Sequence, residues 1–217
     1  AAGAAAMTSL VGASGVFAKM GDTMAKASQR TGISVERLSE LAYAADQSGT
    51  DLTTLETGVR KMQKTIAGAA AGSEEARQAL LQLGVPIQHL LGLSPDQQFL
   101  LLGDRLAQVA DPTRRAALAM ELFGKSGTQL LPMLADGAAG VESLAERARM
   151  LGLTMRTEDA QAAVVLGDLM SDLWKTVKMG AFAVGTALAP ALSDLARVAI
   201  GVVRVTVAWV RDNRELV

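Results

Sequence analysis

Apolar residues along this chain recur at helical rather than strand spacing. Ser34 is followed by Val35, Leu38, Leu41, Ala42 and Ala45 on one face, with Gly49 placed where a helix closes, so residues 34–49 read as a capped amphipathic helix. Asp51 opens the next helix, whose Leu52, Leu55, Val59, Met62 and Ile66 step by three and four and keep one seam, with Gly68 and Gly72 at its end. Ser73 with Glu74 and Glu75 starts a short helix that stops at Gly84, because a cap oxygen and acidic first-turn residues suit the positive helix end; Pro86 blocks its continuation. Ser94, Pro95 and Asp96 begin another, with Phe99, Leu102, Leu106 and Val109 in line. Asp111 and Pro112 begin a further one that ends at Gly124. Short helices at 129–135 and 141–151 complete this stretch, the second with Val141, Leu144, Ala148 and Leu151 aligned.

Beyond Thr157 the character changes. Leu166, Met170, Leu173, Val177, Ala181, Val184 and Leu188 hold a three-four spacing over several heptads without a stop, which predicts one long helix. Pro190 should kink it, after which Leu192, Leu195, Ala199, Val202, Thr206 and Trp209 resume the pattern. A strand is the competing reading for residues 202–210, where β-branched residues alternate; the helical context favours helix. The first thirty residues, with Gly3, Gly12, Gly15 and Gly21, predict only a weakly helical or flexible lead. The expected fold is therefore all-α, organised as a lead over 1–33, a compact module of Gly/Pro-punctuated helices over 34–156, and a long amphipathic to hydrophobic segment over 157–217 kinked near Pro190 and packed in a multi-chain bundle.

Composition sharpens this picture. Half the residues are hydrophobic yet only 3% are aromatic, and there are 21 glycines, which favours closely packed helices over a bulky aromatic core. The 22 acidic and 21 basic residues nearly cancel and form no block, so no nucleic-acid footprint is expected. Cysteine is absent, which excludes disulfides, thiolate metal sites and a cysteine nucleophile. The opening Ala-Ala-Gly-Ala-Ala-Ala, without a methionine or a basic stretch, points to a cut from a longer polypeptide rather than a secretory signal. The uncharged run between Lys178 and Asp194 is shorter than the roughly 18 to 20 residues a membrane span needs.

Candidate chemistry is thin. Phe123, Gly124, Lys125, Ser126 and Gly127 contain the Gly-Lys-Ser of a phosphate loop, but that loop needs glycine at position 119, where Ala119 sits inside a helical run instead of after a buried strand. The turn reads better as a helix end. His89 is the only histidine, so a multi-histidine zinc site cannot form, and a helix-end position suits it better than a triad. Glu36, Glu40, Glu121, Glu142 and Glu146 could supply a glycosidase pair, though such glutamates among Arg and Lys more often line a solvated face. Trp174 and Trp209 could mark a membrane interface and more simply pack between helices. No catalytic residue, cofactor or metal ligand is expected, and the chain reads as a non-enzyme.

Several blocks resemble, in order, the core region of phage tail tape measure proteins. They are the run TGISVERLSELAYAA at 31–45, residues 55–62, the stretch 117–134 with its LFGKSG turn and LLPML sequel, and ALAPAL at 187–192. The resemblance covers residues 21–201. It implies a structural protein of the virion tail, assembled in the host cytoplasm, that lies in the tail tube lumen, templates tube assembly and length, and leaves ahead of the DNA at ejection. It also implies a coiled-coil homo-oligomer, three copies being preferred, with tail tube and tip or baseplate hub proteins as partners. Residues 34–152 depart from a uniform ruler, since glycine and proline break them repeatedly. A wholly helical chain of this length would reach only about 330 Å at about 1.5 Å per residue, which suits a fragment or a short tail. The alternative is a membrane-active helical protein whose residues 179–210 contact a host membrane and form a conduit for DNA.

Overall fold

The computed structural model describes residues 2–212, with side chains described from 15 to 204 except at 191, 192 and 195. The chain is all-α, with no strand among the described residues, and it divides into two units, Ala1–Gly167 and Asp168–Val217.

The first unit is built from α1 (Ala2–Thr31), α2 (Val35–Gln47), α3 (Leu52–Ala70), α4 (Glu74–Gln82), α5 (Pro95–Ala107), α6 (Pro112–Phe123), α7 (Gly127–Leu130), α8 (Gly137–Met150) and the first turns of α9 (Thr157–Asp212). Local side-chain chemistry starts four of them. The Ser34 hydroxyl accepts from the Arg37 N–H at 3.2 Å, Asp51 from Thr54 at 2.7 Å, Ser73 from Ala76 at 3.4 Å and Asp111 from Thr113 at 2.9 Å, satisfying donors a helix start leaves open. Gly49, at φ 77°, ends α2 in the left-handed conformation that a side chain would disfavour.

α3 is the hub. Its buried Leu55, Val59, Met62, Ile66 and Ala69 form the stripe that α1, α2, α4, α5, α6 and α7 pack around, while α8 rests on α2 and α5. Phe99 of α5 and Phe123 of α6 meet edge to face, with ring centroids 5.6 Å apart, beside the fully buried Leu102, Leu106 and Leu122.

The unit extends past both ends of the expected 34–156 module. Residues 2–31 form a single helix whose Ala18, Met24, Ala27 and Thr31 are buried, so the second half of the supposed lead is packed structure. Ala160 and Ala163 at the start of α9 are buried as well. The crossing of α1 with α9 depends on small residues: a Cβ at Gly21 would lie 2.1 Å from the Ala163 Cβ, closer than any real contact. The helix expected over 129–135 is shorter than the pattern suggested, because Pro132 has no N–H for the next helical bond and residues after Leu130 fold as turns.

In the second unit, α9 continues as helix through Pro190 and on to Asp212. The strand reading for residues 202–210 is therefore not realised. The side chains of Leu192, Leu195, Thr206 and Trp209, which carry part of the resumed stripe, lie outside the described residues.

Candidate interaction surface

The seam residues divide after Met170. Leu166 and Met170 are half-buried, whereas Leu173, Val177, Ala181, Val184 and Leu188 are exposed, Leu173 to 55%. On a wheel of about 100° per residue these seven fall on one side of α9, and Asp168, Asp172, Lys175, Lys178, Arg197 and Arg204 fall on the other. The charges pair along their own helix, Lys175 with Asp172 at 2.9 Å and Arg197 with Asp194 at 3.2 Å. Glycine has a different meaning in the two units. At Gly21, Gly58 and Gly127 of the first, a Cβ would collide with a neighbour, whereas at Gly180 and Gly185 of the second it would meet nothing within 4 Å. Exposed apolar residues also lie off the seam, among them Met179, Phe182 and Leu169, and Trp174, 62% exposed within the single chain, stands at the seam's edge beside Ala181.

The Phe-Gly-Lys-Ser-Gly turn is a corner of the compact core. Phe123 is fully buried, Gly124 turns the chain at φ 67°, Lys125 is exposed and Ser126 is buried. Gly127 sits directly on the backbone of α6, so near that a Cβ would be 2.1 Å from the Ala119 carbonyl oxygen. A helix precedes this turn where a phosphate loop would have a strand. His89 ends a single 3-10 turn, Ile87–His89, and is exposed.

Of the five candidate glutamates, Glu121 and Glu146 are exposed as a solvated face would have them, Glu36 and Glu142 are half-buried, and Glu40 departs from that reading. Glu40 is only 5% exposed and shares Arg37 and Arg149, each 3.1 Å away. Arg37 also pairs with Glu142 and lies 3.5 Å from Asp96, and Arg149 reaches Glu146 at 2.9 Å. Burial alone would lower the Arg37 pKa, but hydrogen bonds and charge from Glu142 and Glu40 outweigh it and raise it. These carboxylates spend their oxygens on guanidinium groups, which ties α2, α5 and α8 together. Glu121 is exposed on α6, apart from this cluster. Among the described residues no group of three or more His, Asp or Glu is arranged to hold a metal ion.

Glu36 has a separate task. Its carboxylate accepts the Thr157 N–H at 2.6 Å and the Thr157 hydroxyl at 3.2 Å, and so caps α9 from a helix 121 positions earlier. Backbone N–H groups of Glu36 itself and of Thr157, with the Thr157 and Ser34 hydroxyls, lower its pKa against a smaller opposing effect of burial. A depressed carboxylate pKa contributes stability that is present above the unfolded value, about 4.3, and is lost as pH falls through the folded value. Glu36→Gln is accordingly expected to be less stable than the wild type at pH 7 and to lose less on acidification. Urea unfolding at pH 7 and in the acid limb checks this, and parallel acid limbs would contradict it.

Sequence reasoning placed Glu36 and Glu40 among the carboxylates of interest but missed Thr157 and Arg149 as their partners, since contacts across more than 100 positions leave no local signal. In comparison with known proteins, the chain matches no family model, no curated protein and no solved structure.

Proposed function

We propose that this chain is a structural, non-enzymatic component of a phage tail or tail-like particle, a tape measure segment that lies in the tail tube and templates its assembly and length. The observation that carries this reading is the exposed seam of α9, with charge segregated to the far side and small residues at 180, 181 and 185 that no neighbour within the chain requires. An apolar stripe of this length left in water is unfavourable by about 1.5 to 3 kcal/mol per large side chain. A parallel homo-oligomer of three copies covers it, and tail tube and tip proteins are the further partners. The ordered sequence blocks at 31–45, 117–134 and 187–192 point the same way. In this role the protein is assembled in the host cytoplasm, resides in the tail lumen and leaves ahead of the DNA.

The test is to lengthen or shorten the α9 region by whole heptads within the particle that carries the chain, and to measure tails by electron microscopy. Tail length is expected to follow the change. Unchanged length in assembled particles would overturn the measuring role.

A membrane-active conduit is the second reading, favoured by the apolar Met179 and Phe182 exposed off the seam and by Trp174 exposed at its edge. Among the described residues no helix is long and apolar enough to cross a membrane. Dye leakage from liposomes on addition of the whole chain would support this reading, and its absence at every lipid composition would leave the scaffold.

A further inference from the structure

We infer that residues 154–163 form a detachable latch, in which α2 side chains hold the start of α9 on the compact unit and release it in a step separate from unfolding of the core.

The segment between α8 and α9 is neither helix nor strand over 153–156. Its hold on α2 runs through side chains. Met155 N–H donates to the Ser39 hydroxyl at 3.0 Å, Thr157 donates twice to Glu36, and the Thr154 hydroxyl lies 3.5 Å from a Glu40 oxygen. Among the described residues no backbone-to-backbone bond ties 154–157 to another element. A helix ordinarily carries its cap in the preceding residues, so its start survives local movement. Here the Asp159 carboxylate accepts the Arg156 N–H at 3.3 Å within the segment, but the Thr157 N–H and hydroxyl are satisfied by Glu36 only while 154–157 lies along α2.

The receiving face is braced by bonds that do not involve the held segment. Glu40 is fixed by Arg37 and Arg149, and the Ser39 hydroxyl also donates to the Glu36 carbonyl at 2.8 Å, so the acceptors are in place whether or not the segment is docked. On the other side, the apolar grip is slight. Ala160 and Ala163 are buried but have a single side-chain carbon each, set against Gly21, and Met155 is the one large buried residue of the segment. The core beneath is held by Leu38, Leu55, Phe99, Leu122 and Phe123. Segments with few large buried contacts open at lower free energy than the core. The latch thus gives α9 a held and a free start, interchanging while α3 and α6 stay folded.

Hydrogen exchange with mass spectrometry on the whole chain tests this. In the wild type, amides of 155–163 are expected to exchange at least about tenfold faster than those of the α3 and α6 centres. Ser39→Ala, which removes the bond accepted from Met155 and the one donated to the Glu36 carbonyl, and Glu36→Ala, which removes the cap, are each expected to speed 155–163 by about tenfold further, a larger change than any in α3 and α6. Equal wild-type protection of 155–163 and α3 would overturn the latch. So would a parallel loss of protection in both regions in Ser39→Ala, the gentler variant, or no change at 155–163 in either variant.

Discussion

Replacing Gly127 by alanine is expected to cost the compact unit about 3 kcal/mol, the upper range for forcing an extra carbon into a packed site. The new Cβ would fall 2.1 Å from the Ala119 oxygen, 2.4 Å from its carbonyl carbon and 2.9 Å from the Met120 nitrogen. All three are backbone atoms of α6, whose buried Leu118, Leu122 and Phe123 anchor it in the core, so no flexible side-chain end can give way. Gly58 makes the useful contrast, since its Cβ would meet only the end of the Leu130 side chain, at 2.5 Å. Gly124→Ala should cost about 1 to 3 kcal/mol, because φ 67° with ψ −148° lies close to a region essentially restricted to glycine, its nearest neighbour being the movable Lys61 side chain. Lys125→Ala should stay within about 0.5 kcal/mol, because the side chain is exposed. For a unit of this size, 3 kcal/mol corresponds to a drop in the thermal midpoint of roughly 6 to 12 °C. Calorimetry on the three variants gives the order, and a Gly127→Ala protein as stable as Lys125→Ala would show that the α6 corner does not have this geometry.

The two glycines of that turn show how far sequence reading reached. Gly124 stood where a helix stop was expected, and it holds the φ that such stops use. Gly127 is glycine for a different reason, the approach of two backbones, and only the folded chain displays it. Caps at Ser34, Asp51, Ser73 and Asp111 were legible because capping is a matter of three or four adjacent residues. The packing of α1 was not. Its buried positions are Ala18, Gly21, Ala27 and Thr31 beside one large apolar residue, Met24, and small residues give almost no contrast between a covered face and a bare one. Glu40 misled for a related reason, since its spacing from Glu36 is that of a solvated helix face and its neutralising Arg149 lies 109 positions away. The stripe on α9 could be read residue by residue, while the surface that covers it could not, because a periodic pattern states that a face is apolar and leaves its partner open.

That partner decides the outcome of Leu173→Asp, expected to dissociate the assembled protein while leaving the compact unit as stable as before. Leu173 is 55% exposed within a single chain, so an aspartate there displaces nothing inside the molecule and should change the thermal midpoint of the first unit no more than other surface substitutions do, about 0.5 kcal/mol. In a parallel bundle the same position faces its own copies. Each chain would then give up the burial of one leucine, about 1.5 to 3 kcal/mol, and would place a carboxylate beside identical carboxylates in a desolvated seam. Both terms repeat in every copy, so even a tightly held oligomer should come apart. Light scattering in mild detergent should show the wild type as a multiple of 22.5 kDa and Leu173→Asp at that single mass. Phe182→Asp makes the control, since Phe182 is equally exposed but lies off the seam, and this variant should remain assembled. The opposite arrangement, in which the stripe is covered by the compact unit of the same chain, predicts a monomeric wild type and a Leu173→Asp protein with a lowered midpoint. Either of those two results would refute the intermolecular seam, and with it the bundle on which the tail-lumen role depends.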